Sequence, residues 1–176
     1  VRSSGQGHTR ELALVTTSGK VQDAQIDAFN RGVLVRKSMV VPLKDRVAYV
    51  WAEQESMSAE ATQYVALFDW KGKQVLGPTE IEPFGRHFGY NDHLRYASSP
   101  PDGTSLVIAR PWAEEGVSTD QVMVMTLDAE GKVTSEKVLD PGGVSQAWVF
   151  HTAGGKPAVV YTDSVWDDGG LYAELL

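Results

Sequence analysis

The chain has 176 residues, a formal net charge of −7 and no cysteine. Its length suits one domain with a sizeable core. Its acidity disfavours nucleic acid or an anionic membrane as the main partner. The lack of thiols excludes disulfides and Cys-ligated zinc, and no apolar run reaches the roughly 20 residues that a membrane helix needs.

Short apolar runs separated by turn residues dominate the chain. Residues 1–10 show no periodicity and are predicted to be a linker or tail. From residue 11 to residue 176, runs rich in Val, Leu, Ile and Tyr alternate with Gly, Pro, Asp and Lys. This pattern is typical of many short strands. The best helical candidate, residues 57–64, is too short and too polar, so we predict a single all-β repeat domain.

A turn with the same shape occurs three times along the chain. Gly19-Lys20, Gly72-Lys73 and Gly131-Lys132 each have a Thr or Asp three residues before the glycine, just after an apolar run. Glycine supplies the positive φ that such turns need, and the Asp or Thr oxygen can accept backbone hydrogen bonds. The three glycines are separated by 53 and 59 residues.

A tryptophan followed by acidic residues keeps a similar period. The triplets are Trp51-Ala-Glu53, Trp112-Ala-Glu114 and Trp166-Asp-Asp168, and each follows an apolar run. The tryptophans are 61 and 54 residues apart. Two markers with a spacing of about 50 to 60 residues predict a tandem repeat.

Each repeat is predicted to contain four antiparallel strands, called A to D. The predicted organisation is a partial unit 11–27 (strands C and D), a unit 31–82, a unit 93–140, and a partial unit 144–176 (strands A to C).

The segment YASSPPDGTSLVIAR (Tyr96 to Arg110) resembles the TolB-like family of β-propeller repeats. The signature of that family is a strand, then S-P-D-G, then an apolar strand. The match covers about one unit, and the other two units have Pro42-Leu-Lys-Asp45 and Gly154-Gly-Lys-Pro157 at the equivalent turn. The resemblance implies propeller blades, and it favours a periplasmic or secreted location.

About three units are present, whereas propellers typically close with four to eight blades. Three explanations stay open at this point. The chain is a fragment of a longer propeller, or it associates with itself or with a protein partner to complete a ring, or its units form another open or sandwich-like β fold.

The propeller resemblance divides the connections between two faces. The A–B and C–D turns belong to one face, and the B–C and D–A loops belong to the other, where propeller ligands usually bind. The longest loop of this second face, residues 83–93, concentrates polar and aromatic groups. We predict ligand-binding residues in this loop: Arg86, His87, Tyr90, Asp92 and His93.

The three tryptophan triplets are predicted to lie on the same face. Aromatic faces beside carboxylates suit a sugar or a cationic ligand. We therefore add these residues to the predicted ligand site: Trp51, Glu53, Trp112, Glu114, Trp166 and Asp168. The alternative is that the tryptophans pack between neighbouring units.

Signals for catalysis are weak. The sequence contains no G-x-S-x-G elbow, no phosphate-binding G-x-x-x-x-G-K-[ST] loop and no H-E-x-x-H motif. We predict no catalytic residues, no metal site and no cofactor. The predicted function is a non-enzymatic binding or assembly module of the β-propeller type. The alternatives are a hydrolase or lyase with its pocket on the loop face, and a lectin-like carbohydrate-binding propeller.

Overall fold

The computed structural model describes residues 11–15, 18–25, 34–54, 61–81, 96–112, 121–139, 144–163 and 170–176. Within these ranges the fold is entirely β, as the sequence predicts, and no helix is present. The strands are β1 (Glu11–Val15), β2 (Val21–Gln25), β3 (Leu34–Pro42), β4 (Arg46–Gln54), β5 (Ala61–Asp69), β6 (Gln74–Glu80), β7 (Tyr96–Ser98), β8 (Leu106–Trp112), β9 (Gln121–Leu127), β10 (Val133–Leu139), β11 (Val144–His151), β12 (Pro157–Asp163) and β13 (Leu171–Leu175).

The strands form antiparallel meanders in which each strand pairs with the next one along the chain. β1 and β2 form an N-terminal hairpin. Sheet I consists of β3 to β6, sheet II of β7 to β10, and sheet III of β11 to β13, each in sequence order. The predicted antiparallel strand pattern is therefore present in three sheets of three or four strands.

The repeated Gly-Lys turn closes the hairpin between the third and fourth strands of sheets I and II. In sheet I, the Gly72 amide donates to the Asp69 carbonyl at 3.0 Å. The Asp69 carboxylate accepts from the Lys73 amide at 2.9 Å. Gly72 has a φ of 83°, and its counterpart Gly131 in sheet II has a φ of 82°. This positive φ is the reason for glycine at the position.

A further copy of the same turn occurs at a different corner, between β11 and β12. The Gly155 amide donates to the Thr152 carbonyl at 2.9 Å. The Thr152 hydroxyl accepts from the Lys156 amide at 3.1 Å, in place of the aspartate carboxylate. One local turn sequence therefore serves two kinds of connection in this fold.

Sheets I and II pack face to face through buried aliphatic side chains. In β8, Leu106 and Ile108 point towards sheet I, where they meet Val50 and Leu67. Every one of these four side chains is essentially inaccessible to solvent. The interface includes further residues from both sheets: Val41, Leu43, Ala48, Val65, Ile81, Met123, Met125 and Leu127.

Sheets II and III pack through the opposite side of sheet II. Val107 and Ala109 alternate with Leu106 and Ile108 along β8, and they join a second buried cluster with residues of sheet III. The other members of this cluster are Val122, Val124, Leu139, Ala147, Val149 and Val159. Sheet II is therefore covered on both sides, because successive side chains of a strand point to opposite faces.

In sheets II and III, the side that faces the preceding sheet is called the near face, and the other side the far face. In sheet I, the side that packs on sheet II is the far face, and the opposite side is the near face. The far faces of sheets I and II are buried under the next sheet. The register places eight described residues on the far face of sheet III: Trp148, Phe150, Ala158, Val160, Thr162, Leu171, Ala173 and Leu175. Leu171 is 72% exposed and Leu175 is 62% exposed.

The turn that contains Gly103 lies against the corresponding turn of sheet I. The Lys44 amide donates to the Gly103 carbonyl at 3.3 Å. Gly103 has a φ of 63°, and a Cβ at this position would lie 2.8 Å from the Leu43 carbonyl carbon and closer still to the Lys44 amide nitrogen. The two backbones approach so closely that only glycine fits between them.

Replacing Gly103 with alanine is expected to lower the free energy of unfolding by more than the same change at Gly155. Strain at positive φ costs on the order of 1–3 kcal/mol at either site, but only Gly103 adds a backbone clash. Gly155 has a φ of 79°, and its nearest neighbouring atom would lie 4.0 Å from an added Cβ. Urea unfolding of both variants measures the difference, and equal costs would contradict the close approach.

Candidate functional site

Most residues of the predicted ligand site lie outside the described part of the chain. These are Arg86, His87, Tyr90, Asp92, His93, Glu114, Trp166 and Asp168. Their role as a ligand site stays a prediction. Trp51, Glu53 and the backbone of Trp112 are described, and they show how the tryptophan triplets sit in their sheets.

Trp51 lies in the interior of the protein. Its indole is fully buried and packs against Tyr49 and Tyr64, with ring centroids 5.1 Å and 5.5 Å away. The indole N–H donates to the Glu53 carboxylate at 3.0 Å, and Glu53 itself is only 8% exposed. A hydrogen bond to a buried carboxylate satisfies a group that is costly to bury unpaired. These contacts give Trp51 and Glu53 a structural role in sheet I.

Trp112 does not occupy the place in sheet II that Trp51 occupies in sheet I. Trp51 pairs with Tyr64, five residues before the turn aspartate Asp69. Trp112 pairs with Gln121, seven residues before Asp128. The position of sheet I that corresponds to Trp112 is therefore Glu53, which pairs with Thr62. The two Trp-Ala-Glu triplets share a sequence but differ by two residues in register.

A polar contact joins sheets II and III at the ends of their first strands. The Ser98 hydroxyl in β7 and Nδ1 of His151 in β11 are 3.1 Å apart, and both residues are half-buried. Burial lowers the pKa of His151, and the negative charge of Asp102 offsets part of that effect. The imidazole is therefore neutral at pH 7. Nδ1 accepts a hydrogen bond from the Ser98 hydroxyl in one tautomer and donates one to it in the other.

Asp102 lies in the turn that follows β7. Its carboxylate accepts from the Thr104 hydroxyl at 2.8 Å and from the Thr104 amide at 3.1 Å. These hydrogen bonds, helped by the positive charge of Lys44, lower the pKa of Asp102. The carboxylate is ionised at neutral pH and stabilises its own turn.

The side of the fold that carries the A–B and C–D turns is called the turn side, and its hydrogen bonds also link sheets I and II. The Ser99 hydroxyl donates to the Pro42 carbonyl at 2.6 Å. The Arg46 guanidinium donates to the Ala129 carbonyl at 2.7 Å. Each donor reaches across from one sheet to the other, so the polar groups on this side work as links between sheets.

Sequence reasoning missed this set of links. Ser98 and His151 are 53 residues apart, and Arg46 and Ala129 are 83 residues apart. The A–B turns were recognisable from Pro42, Pro101 and Gly154, and their location on a common face was predicted. No sequence signal indicated which side chain of one turn would reach the next.

The described residues contain no group of three or more His, Asp or Glu side chains arranged to hold a metal ion. Within the same ranges no helix has the length and apolar character to cross a membrane.

The sequence matches no family model and no curated protein. The resemblance to TolB-like repeats therefore stays a prediction.

Replacing Trp51 with phenylalanine is expected to lower the free energy of unfolding by about 1–3 kcal/mol, because the buried Glu53 carboxylate loses its donor. The matched control is Trp70→Phe. Trp70 is 50% exposed, and its indole donates to the Lys44 carbonyl at 3.3 Å. Urea unfolding should show a clearly smaller loss in the control. A Trp51 variant as stable as the control would show that the buried hydrogen bond contributes little.

The free energy of unfolding is expected to fall as the pH decreases from 6.5 towards the lowered pKa of His151 in the folded protein. The folded pKa lies below the unfolded value of 6.5. The contribution of the neutral imidazole is therefore complete above pH 6.5 and is lost as the pH falls towards the folded pKa. Comparing wild type with His151→Gln by thermal unfolding at several pH values isolates this contribution.

The Ser98→Ala variant tests whether burial alone accounts for the lowered pKa of His151. Burial is the main reason for the lowered pKa of His151, so this variant should keep most of the difference between pH 7 and pH 5. Parallel pH profiles of wild type and His151→Gln would contradict the assignment.

Proposed function

We propose that this chain is a non-enzymatic binding or assembly module built from β-propeller-type blades. The observation that supports it is the order of packing. Three antiparallel meanders stack face to face in sequence order, and the first strand of sheet II, β7, contacts the first strands of the other two sheets, β3 and β11. In propellers, four-stranded meanders pack radially with their first strands nearest the central axis.

The hydrogen bonds on the turn side support a structural role for that side of the fold. The side chains of Ser99 and Arg46 donate to carbonyls of the neighbouring sheet, and Asp102 holds its own turn. These hydrogen bonds connect parts of the fold with each other. A ligand of this module would instead bind at the loop face that contains Arg86, His87 and Asp92, and a sugar or a cationic group fits the residue types there.

The exposed far face of sheet III supports assembly as part of the function. Sheet III has three strands in the described part of the chain, and its far face carries strongly exposed leucines. Exposed apolar sheet faces and unpaired strand edges promote association. A protein partner or a further copy of the chain would complete the stack.

The chain is expected to have a mass in solution above the 19.2 kDa of a single copy. Size-exclusion chromatography with light scattering, run over a range of concentrations, measures it. Association driven by apolar burial should persist or increase at high salt, because salt screens the repulsion between acidic copies. A monomer at every concentration and salt level would contradict an assembly role.

A further inference from the structure

The turn that joins β5 and β6 in sheet I carries a tryptophan on the protein surface. Trp70 is 50% exposed, and its indole N–H donates to the Lys44 carbonyl at 3.3 Å. This hydrogen bond holds the ring beside the A–B turn of the same sheet. The half-exposed indole therefore presents an apolar surface in a fixed place on the turn side.

The hairpin does not require this tryptophan, because sheet II builds the same turn without it. In both turns the first aspartate accepts a hydrogen bond at 2.9 Å from the lysine amide four residues later. The glycine has a φ of 83° in one turn and 82° in the other. Sheet II nevertheless has Ala129 and Glu130 where sheet I has Trp70 and Lys71. The aromatic ring and the positive charge of the sheet I turn are therefore additions to its surface.

Three exposed lysines lie at the same place. Lys71 and Lys73 belong to the turn that contains Trp70, and Lys44 lies beside the indole. We call Lys44, Trp70, Lys71 and Lys73 the basic corner. In the described part of the chain no carboxylate forms an ion pair with any of its three ammonium groups. These groups are therefore available to an external anion.

The basic corner contrasts in charge with its surroundings, in a chain whose net charge is −7. The A–B and C–D turns of sheet I hold four cationic and two anionic residues: Lys44, Arg46, Lys71, Lys73, Asp45 and Asp69. The corresponding turns of sheet II hold one cationic and three anionic residues: Lys132, Asp102, Asp128 and Glu130. A small positive surface therefore borders directly on a negative one.

We infer that the basic corner docks a short acidic peptide segment of a partner protein. Carboxylates of the segment lie against the three lysines, and an apolar side chain of the segment packs on the Trp70 ring. The attraction between exposed charges acts over about 8 Å at physiological ionic strength, so the local positive charge counts for more than the net charge of the chain. This surface adds a protein partner to the ligand proposed for the loop face, and it does not depend on that ligand.

The surrounding charges favour a short segment over an extended polyanion. A membrane surface or a nucleic-acid strand would extend from the basic corner onto the turns of sheet II, where Asp102 and Glu130 are exposed. Like charges would repel it there. A peptide of a few residues stays on the corner, because an extended chain spans only about 3.3 Å per residue.

The test uses the double variant Trp70→Ala, Lys71→Glu. It copies the turn of sheet II into sheet I, so the hairpin should stay folded. The matched control is Lys156→Glu, which makes the same change of charge at an exposed turn residue of sheet III. Fluorescence anisotropy of a dye-labelled, glutamate-rich peptide with one central leucine gives the dissociation constant of each protein. Circular dichroism and thermal unfolding check the fold.

The inference predicts that wild type and Lys156→Glu bind this peptide with similar affinity and that the double variant binds it at least tenfold more weakly. The affinity should fall as the salt concentration rises towards about 1 M, where the Debye length is about 3 Å. An unchanged affinity in the double variant would overturn the inference. An equal loss in Lys156→Glu would also overturn it, because net charge alone would then explain the binding.

A comparison of probes tests the chemistry of the partner. A peptide with glutamine at every glutamate position should bind much more weakly than the acidic peptide. Vesicles that contain phosphatidylserine and single-stranded oligothymidylate represent the other two anionic surfaces. Equal binding of the glutamine peptide, or tighter binding of the vesicles or the oligonucleotide than of the acidic peptide, would overturn the inference.

Discussion

The arrangement of the three sheets follows from the alternation of side chains along β8. Leu106 and Ile108 point to sheet I, while Val107 and Ala109 point to sheet III, and all four are buried. A strand that is apolar on both sides can exist in water only when both sides are covered. Sheet II therefore requires a neighbour on each side, and the stack follows from that requirement. Larger side chains meet sheet I and smaller ones meet sheet III.

The polar contacts on the turn side fix how the stacked sheets are aligned. Apolar packing is non-directional, so it alone would allow the sheets to slide. The Ser99 to Pro42 bond, the Arg46 to Ala129 bond and the fit of Gly103 against Lys44 hold sheets I and II in one alignment. Ser98 and His151 do the same for sheets II and III. This division between apolar faces and polar turns gives the three sheets one defined arrangement, on which the proposed binding or assembly module rests.

Local signals in the sequence predicted the strands and turns well, since the chemistry of a hairpin lies within five residues. The turn from Asp69 to Lys73 shows this, because the aspartate and the glycine that determine its geometry both lie within these five residues. The positions of the tryptophan triplets were harder to predict. The place of Trp112 in sheet II depends on its pairing with Gln121. A two-residue shift in register changes that place but leaves the sequence motif intact. The links between sheets could not be predicted at all, because they join residues 53 to 83 positions apart and have no local pattern. The loop that contains Arg86 and His87 lies outside the described ranges.

Sheets I and II are each stabilised by the sheet packed on their far face, whereas the far face of sheet III exposes Leu171 and Leu175 to solvent in the described structure. Hydrogen exchange followed by mass spectrometry, at a concentration low enough to keep the chain monomeric, tests it most directly. Amides of β8 and β9 should exchange most slowly, because sheet II is covered on both sides and opens only with the whole fold. Amides of β13 should exchange many times faster. Protection of β13 equal to that of β9 in the monomer would contradict the account.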